Sequence, residues 1–220
     1  MLLTILAAAS LTNVFPAIDR RERYSFGGSN ALAAQIRQGA PADVFASANT
    51  ALPAQLHRAG LVERPVVFTR NALTLIVPRS NPAHIRRVAD LRRHGVKLVV
   101  AAPGVPVGDY TRVVLRRLDE SSVLRNVVSV ENDVRDVLAK VALGEADAGF
   151  VYATDARTAP RKVTVLRLPV WARPNVAYGI AVVTASSHRA EAAAYLRMLL
   201  GKRAQATFRD YGFLPRRTPG

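Results

Sequence analysis

Ser10 and Ser29 sit where a strand gives way to a helix, the placement that suits a group meant to hold an anion. Ser10 follows the apolar run Leu2 to Ala9 and precedes Leu11-Thr12-Asn13. A β-prone run that stops at a hydroxyl residue and continues into N-V-F-P-A-I-D predicts a strand delivering Ser10 to a helix start, where several N–H groups lack partners. A second such corner follows at once. Tyr24-Ser25-Phe26 reads as a short strand, Gly27-Gly28 as a flexible turn, and Ser29 as the opening of the helix-like stretch Asn30 to Arg37. Two serine-tipped helix starts so close in the chain point to one shared ligand. Each serine also has a plainer reading as an N-cap, which uses the same geometry.

The elements that must position them alternate along the chain. Short apolar strands are expected at 2–7, 23–26, 43–46, 73–78, 96–102, 126–130, 148–152, 163–168 and 176–183. Helices are expected at 30–38, 49–59, 110–119, 134–143, 188–200 and 202–210. Such alternation is the pattern of an α/β fold with largely parallel sheets. The opening M-L-L-T-I-L-A-A-A has the small residues of a cleavage site but no basic segment before it, and it is read as the first strand. Pro169, Pro174 and the polar pair Arg70-Asn71, expected as a turn, flank two long strands, Leu73 to Pro78 and Val176 to Val183, which are expected to connect two lobes.

Composition narrows the chemistry. With 220 residues, half of them hydrophobic, the chain has ample apolar content for packed cores. The absence of cysteine excludes disulfides, thiolate metal sites and cysteine nucleophiles. No stretch approaches the ~20 apolar residues that cross a bilayer. The formal charge of +15 invites a nucleic-acid reading. However, the arginines are scattered in pairs (20–21, 86–87, 92–93, 116–117, 216–217), with no basic tract interleaved with aromatics. A solvated basic surface that speeds capture of an anion is the favoured reading, and no nucleic-acid partner is expected.

Seven segments, in order and spacing, resemble the periplasmic molybdate-binding proteins of bacterial ABC importers. They are A-A-A-S-L-T-N at 7–13, G-S-N-A-L-A-A-Q-I at 28–36, Q-G-A-P-A-D-V-F-A-S-A at 38–48, G-V-P-V-G-D-Y at 104–110, D-V-R-D-V-L at 133–138, G-E-A-D-A-G-F-V-Y-A-T-D-A at 144–156 and Y-G-F at 211–213. The resemblance implies a two-lobed type II periplasmic-binding-protein fold: lobe 1 from 1–70 and 176–220, lobe 2 from 71–175, two hinge strands and a ligand in the cleft. It also implies a non-enzymatic, monomeric, periplasmic or otherwise extracytoplasmic protein that captures molybdate, and tungstate with it, and hands it to a membrane permease. No cofactor or metal-cation site is expected. The export signal or lipid anchor usual in the family is read as lying outside this sequence.

By the same resemblance Ser10 and Ser29 each give a hydroxyl and an N–H to the oxyanion, Val107 and Val134 give backbone N–H groups, and the Tyr152 phenol completes the shell. Read without it, the valines are core residues and Tyr152 is a half-buried aromatic with its hydroxyl in water. Departures from the family are Gly27-Gly28 before Ser29 and a valine at 107 where alanine is common. Asp109 and Asp133 lie within two residues of the proposed donors, so their carboxylates are expected to cap the helices at 110–119 and 134–143. The rival reading is a small serine hydrolase with Ser29 as nucleophile in G-G-S-N-A, a loose nucleophile elbow whose final Ala breaks the pattern. Of His57, His84, His94 and His188, only His188 is placed to serve it.

Overall fold

Strands and helices alternate throughout the computed structural model, which describes residues 2–216. The chain divides into two compact units, one running to Asn71 and resuming at Val176, the other spanning Ala72–Asn175. The first begins with β1 (Thr4–Ala8), α1 (Val14–Ile18), β2 (Arg23–Gly27), α2 (Ser29–Arg37), β3 (Val44–Ser47), α3 (Ala51–Arg58) and β4 (Val66–Asn71). The second holds β5 (Leu73–Pro78), β6 (Leu98–Ala101), α4 (Pro106–Arg117), β7 (Val127–Glu131), α5 (Val134–Ala142), β8 (Ala148–Tyr152), α6 (Ala153–Ala156) and β9 (Val163–Leu166). The first unit resumes with β10 (Val176–Val182), α7 (Arg189–Leu200) and α8 (Lys202–Asp210).

Each unit is built on a five-stranded sheet, ordered β2-β1-β3-β10-β4 in the first and β7-β6-β8-β5-β9 in the second. The two share a plan. Three parallel strands (β2, β1, β3; β7, β6, β8) are followed by one antiparallel strand, β10 or β5. The long strands expected to connect the lobes are therefore these antiparallel members, and the chain passes between units just before each, at Asn71–Ala72 and Asn175–Val176. Arg70-Asn71 is not a turn. Both residues end β4 and pair with β10, through Ala177 and Val176. The sequence reading missed β4 because Thr69 and Arg70 interrupt its apolar run.

Other boundaries shift for local reasons. The helix expected from 110 begins at Pro106, since a proline in the first turn has its φ set for a helix and gives up only an N–H that would be unpaired there. In the first unit α2 places Leu32, Ala33 and Ile36 on one face, against Leu6, Phe45 and Leu56. In the second, α5 buries Val134, Val137, Leu138 and Val141, the i, i+3, i+4, i+7 stripe of a helix lying on a sheet.

Candidate functional site

The parallel strands carry the predicted donors to their carboxyl ends, where open α/β sheets take their ligands. In the first unit Ala8 of β1 pairs with Gly27 of β2, so Ser10 and Ser29 each lie two residues past one matched pair. Ser10 occupies a 3-10 turn, Ala9–Leu11, and Ser29 is the first residue of α2; neither side chain caps its own helix, which sets aside the N-cap reading.

Both hydroxyls are buried and oriented. Ser29 Oγ accepts the Ala48 N–H at 3.1 Å, just past β3, which leaves its single proton to donate. Ser10 Oγ lies 2.8 Å from the Tyr178 hydroxyl, whose oxygen accepts from Asn71 Nδ2 at 3.2 Å. Either hydroxyl can donate in this contact, and when the phenol does, the serine proton is left for an outside acceptor. Tyr178 is itself held edge-on by Phe68 and Phe213, at centroid distances of 6.2 and 5.8 Å. The carboxyl-terminal segment is in turn tied down: Leu214 N–H donates to Arg70 O at 2.7 Å.

The second unit presents backbone instead. Val107 is the second residue of α4 and Val134 the first of α5, where N–H groups have no carbonyl one turn back to bond. Asp133 caps α5 by accepting the N–H groups of Arg135 at 2.6 Å and Asp136 at 3.2 Å, and passes over that of Val134. Asp109 lies inside the first turn of α4, not ahead of it, and its Oδ1 accepts the Gly104 N–H at 2.9 Å. Both carboxylates are thus engaged, one as the expected cap and the other by bracing the loop before its helix. Gly108 lets α4 approach the sheet: a Cβ there would lie 2.3 Å from Ala102 O and 2.5 Å from Ala101 O.

Tyr152 ends β8, only 1 % exposed, with its ring edge-on to Tyr110 at 6.4 Å. It is not the half-wetted aromatic of the plainer reading. Three residues on, Asp155 is fully enclosed, with Oδ1 2.9 Å from Arg135 Nε. Burial pushes its carboxyl up to about 7, against the pull of Arg135 and of the Tyr152 backbone N–H, with Asp133 adding to the push.

The hydrolase alternative finds no support. The Ser29 hydroxyl is turned to a backbone N–H, and His188 Nδ1 lies 3.1 Å from Asp43 Oδ1 in a polar cluster with Ser186. Among the described residues no group of histidine and carboxylate side chains is arranged to hold a metal ion. The arginine pairs at 20–21, 86–87, 92–93 and 116–117 are all exposed, and Arg217 lies outside the described residues.

Sequence reasoning gave no functional role to Tyr178, Asn71, Gly108 or the Arg135–Asp155 pair. The one available signal was Asp155, a charge straight after the apolar strand A-G-F-V-Y.

Comparison with known proteins adds to this geometry. The family of bacterial extracellular solute-binding proteins matches residues 19–214. A molybdate-binding protein, ModA, of Mycobacterium tuberculosis is 38 % identical over 221 residues, covering 96 % of this chain and 84 % of the relative. The solved periplasmic molybdate-binding protein of Azotobacter vinelandii superposes with a TM-score of 0.85 over 98 % of this chain and all of that one, at 21 % identity. The sulfate-binding protein SubI of Mycobacterium tuberculosis has the same fold, with a TM-score of 0.82 over 97 % of this chain and 86 % of that one, at 20 % identity.

Proposed function

The chain belongs to the family of bacterial extracellular solute-binding proteins, and from that premise we propose that it captures molybdate, and tungstate with it, outside the cytoplasm and delivers the oxyanion to the membrane permease of an ABC importer. It binds and does not catalyse. In this reading Ser10 and Ser29 of the first unit and Val107, Val134 and Tyr152 of the second are the donors to the tetrahedral dianion.

The observation that carries the reading is the chemistry of the donor set. The hydroxyls of Ser10 and Ser29 are each held by an inner partner, and the first-turn N–H groups of α4 and α5 lie at strand ends in the same way. A dianion with several lone pairs per oxygen is well met by neutral, fixed donors and by helix N-termini, each carrying roughly half a positive charge. No lysine or arginine belongs to the set, so selection rests on size and donor geometry. The identity to the mycobacterial protein supports molybdate over sulfate, which the shared fold alone does not separate.

The test is thermal unfolding against an oxyanion panel. A ligand at about 100 times its dissociation constant adds roughly 2.7 kcal/mol of stability. Molybdate and tungstate are expected to raise the melting temperature, and sulfate and phosphate at equal concentration to do so much less, because a smaller ion leaves N–H groups unpaired. Equal shifts from sulfate and molybdate would rule the assignment out.

A further inference from the structure

The second unit contains an ion pair that the donor set does not use. Asp155 is wholly buried, whereas the Arg135 side chain keeps 26 % of its surface exposed; they meet at 2.9 Å from different elements, α6 and α5. Each partner is fastened again. Arg135 Nη1 donates to Thr158 Oγ1 at 3.3 Å, Thr158 Oγ1 donates to Asp155 O at 2.8 Å, and Arg135's own N–H is held by Asp133 at 2.6 Å. One residue before Arg135 stands Val134, and three before Asp155 stands Tyr152.

A buried ion pair is weak as a source of stability, since well-packed apolar residues of similar volume commonly do as well or better. What it gives is fixed geometry. A neutral pair also adds no net charge, so it does not act on an anion as a cation would. We propose that Arg135 and Asp155 are positioning residues for oxyanion capture, locking the end of α5 that presents the Val134 N–H in register with the β8–α6 corner that presents the Tyr152 phenol. This inference rests on the reading of those two residues as ligand donors.

Charge and position make opposite demands, and that separates them. At pH 8.5, above the raised Asp155 value of about 7, Asp155→Asn removes a negative charge, so a purely electrostatic role makes anion binding tighter, whereas loss of register makes it weaker. Calorimetry with molybdate is expected to show Asp155→Asn and Arg135→Gln each weakened about tenfold, by analogy with the ten- to hundredfold losses on removing the outer partners of metal ligands. The charge-balanced double variant is expected to be no weaker than either single one, because the two residues act as a unit. It also carries the test if a single variant leaves a lone buried charge and fails to fold. Arg135→Lys, which keeps the charge, is expected to recover part of the loss.

Amide hydrogen exchange of the ligand-free protein gives a second readout. The variants are expected to exchange faster at 134–138 and 152–156 only. Wild-type or tighter molybdate affinity in Asp155→Asn, or unchanged exchange in both segments, would overturn the proposal. Failure of the wild type to bind molybdate would instead remove the molybdate reading, and the exchange data would still decide whether the pair locks α5 to the corner.

Discussion

In the proposed reading the two units solve one problem with different materials. Both set the proposed donors at the carboxyl ends of three parallel strands beside an antiparallel fourth. The first unit uses side-chain hydroxyls, Ser10 and Ser29, each oriented by an inner partner. The second relies chiefly on backbone N–H groups, at Val107 and Val134, whose direction is set by where α4 and α5 begin. A hydroxyl is aimed by one hydrogen bond, but an N–H is aimed by a whole helix. The second unit therefore depends on close packing, as at Gly108, where a Cβ would meet backbone oxygens.

The comparison breaks most severely at that glycine. Gly108→Ala sets a methyl 2.3 Å from a backbone oxygen, which no rotamer relieves. The expected cost is about 3 kcal/mol of stability, the upper end for overpacking, together with loss of measurable molybdate binding. A melting curve and a titration check both. Gly149→Ala is the milder control, because its nearest neighbours are side-chain methyls, Val137 Cγ1 at 2.8 Å and Val141 Cγ2 at 3.0 Å, and not backbone. About 1–2 kcal/mol is expected there, with binding weakened but present.

Next in size are the first unit's own donors. Ser10→Ala and Ser29→Ala each remove a hydroxyl donor to a charged oxygen, an expected loss of about 1.5–3 kcal/mol in binding, or roughly ten- to a hundredfold in affinity. Stability is expected to move less than in Gly108→Ala, since only one inner hydrogen bond is lost. Smaller still is Tyr178→Phe. It keeps the ring between Phe68 and Phe213 and removes the oxygen that orients Ser10. A loss of about 1 kcal/mol in molybdate affinity is expected, and none when Ser10 is already alanine. Full additivity of the two changes would show that Tyr178 does not act through Ser10.

Hydroxyl donors announce themselves in a sequence and backbone donors do not. Ser10 and Ser29 were legible because serine at a strand-to-helix boundary is chemistry written in residue type. Val107 and Val134 read as core valines, and they are buried; only resemblance to a family singled out their N–H groups. The fold was legible wherever apolar runs are bounded by turn residues, as at 73–78 and 148–152. It was not where polar residues end a strand, as Thr69 and Arg70 do in β4. Tyr178 escaped notice because its role depends on aromatics from distant segments, Phe68 and Phe213, that sequence spacing does not bring together.

Neutral donors, not the +15 charge, hold the oxyanion in the proposed reading. The direct measurement is calorimetry with molybdate at physiological salt on Ser10→Ala, Ser29→Ala and the double variant Arg86→Ala/Arg87→Ala beside the wild type. The serine variants are expected to lose roughly ten- to a hundredfold in affinity, and the exposed arginine pair to stay within about twofold, its effect confined to slower association at low salt. A larger loss from the arginine pair than from either serine would rule out capture by neutral donors.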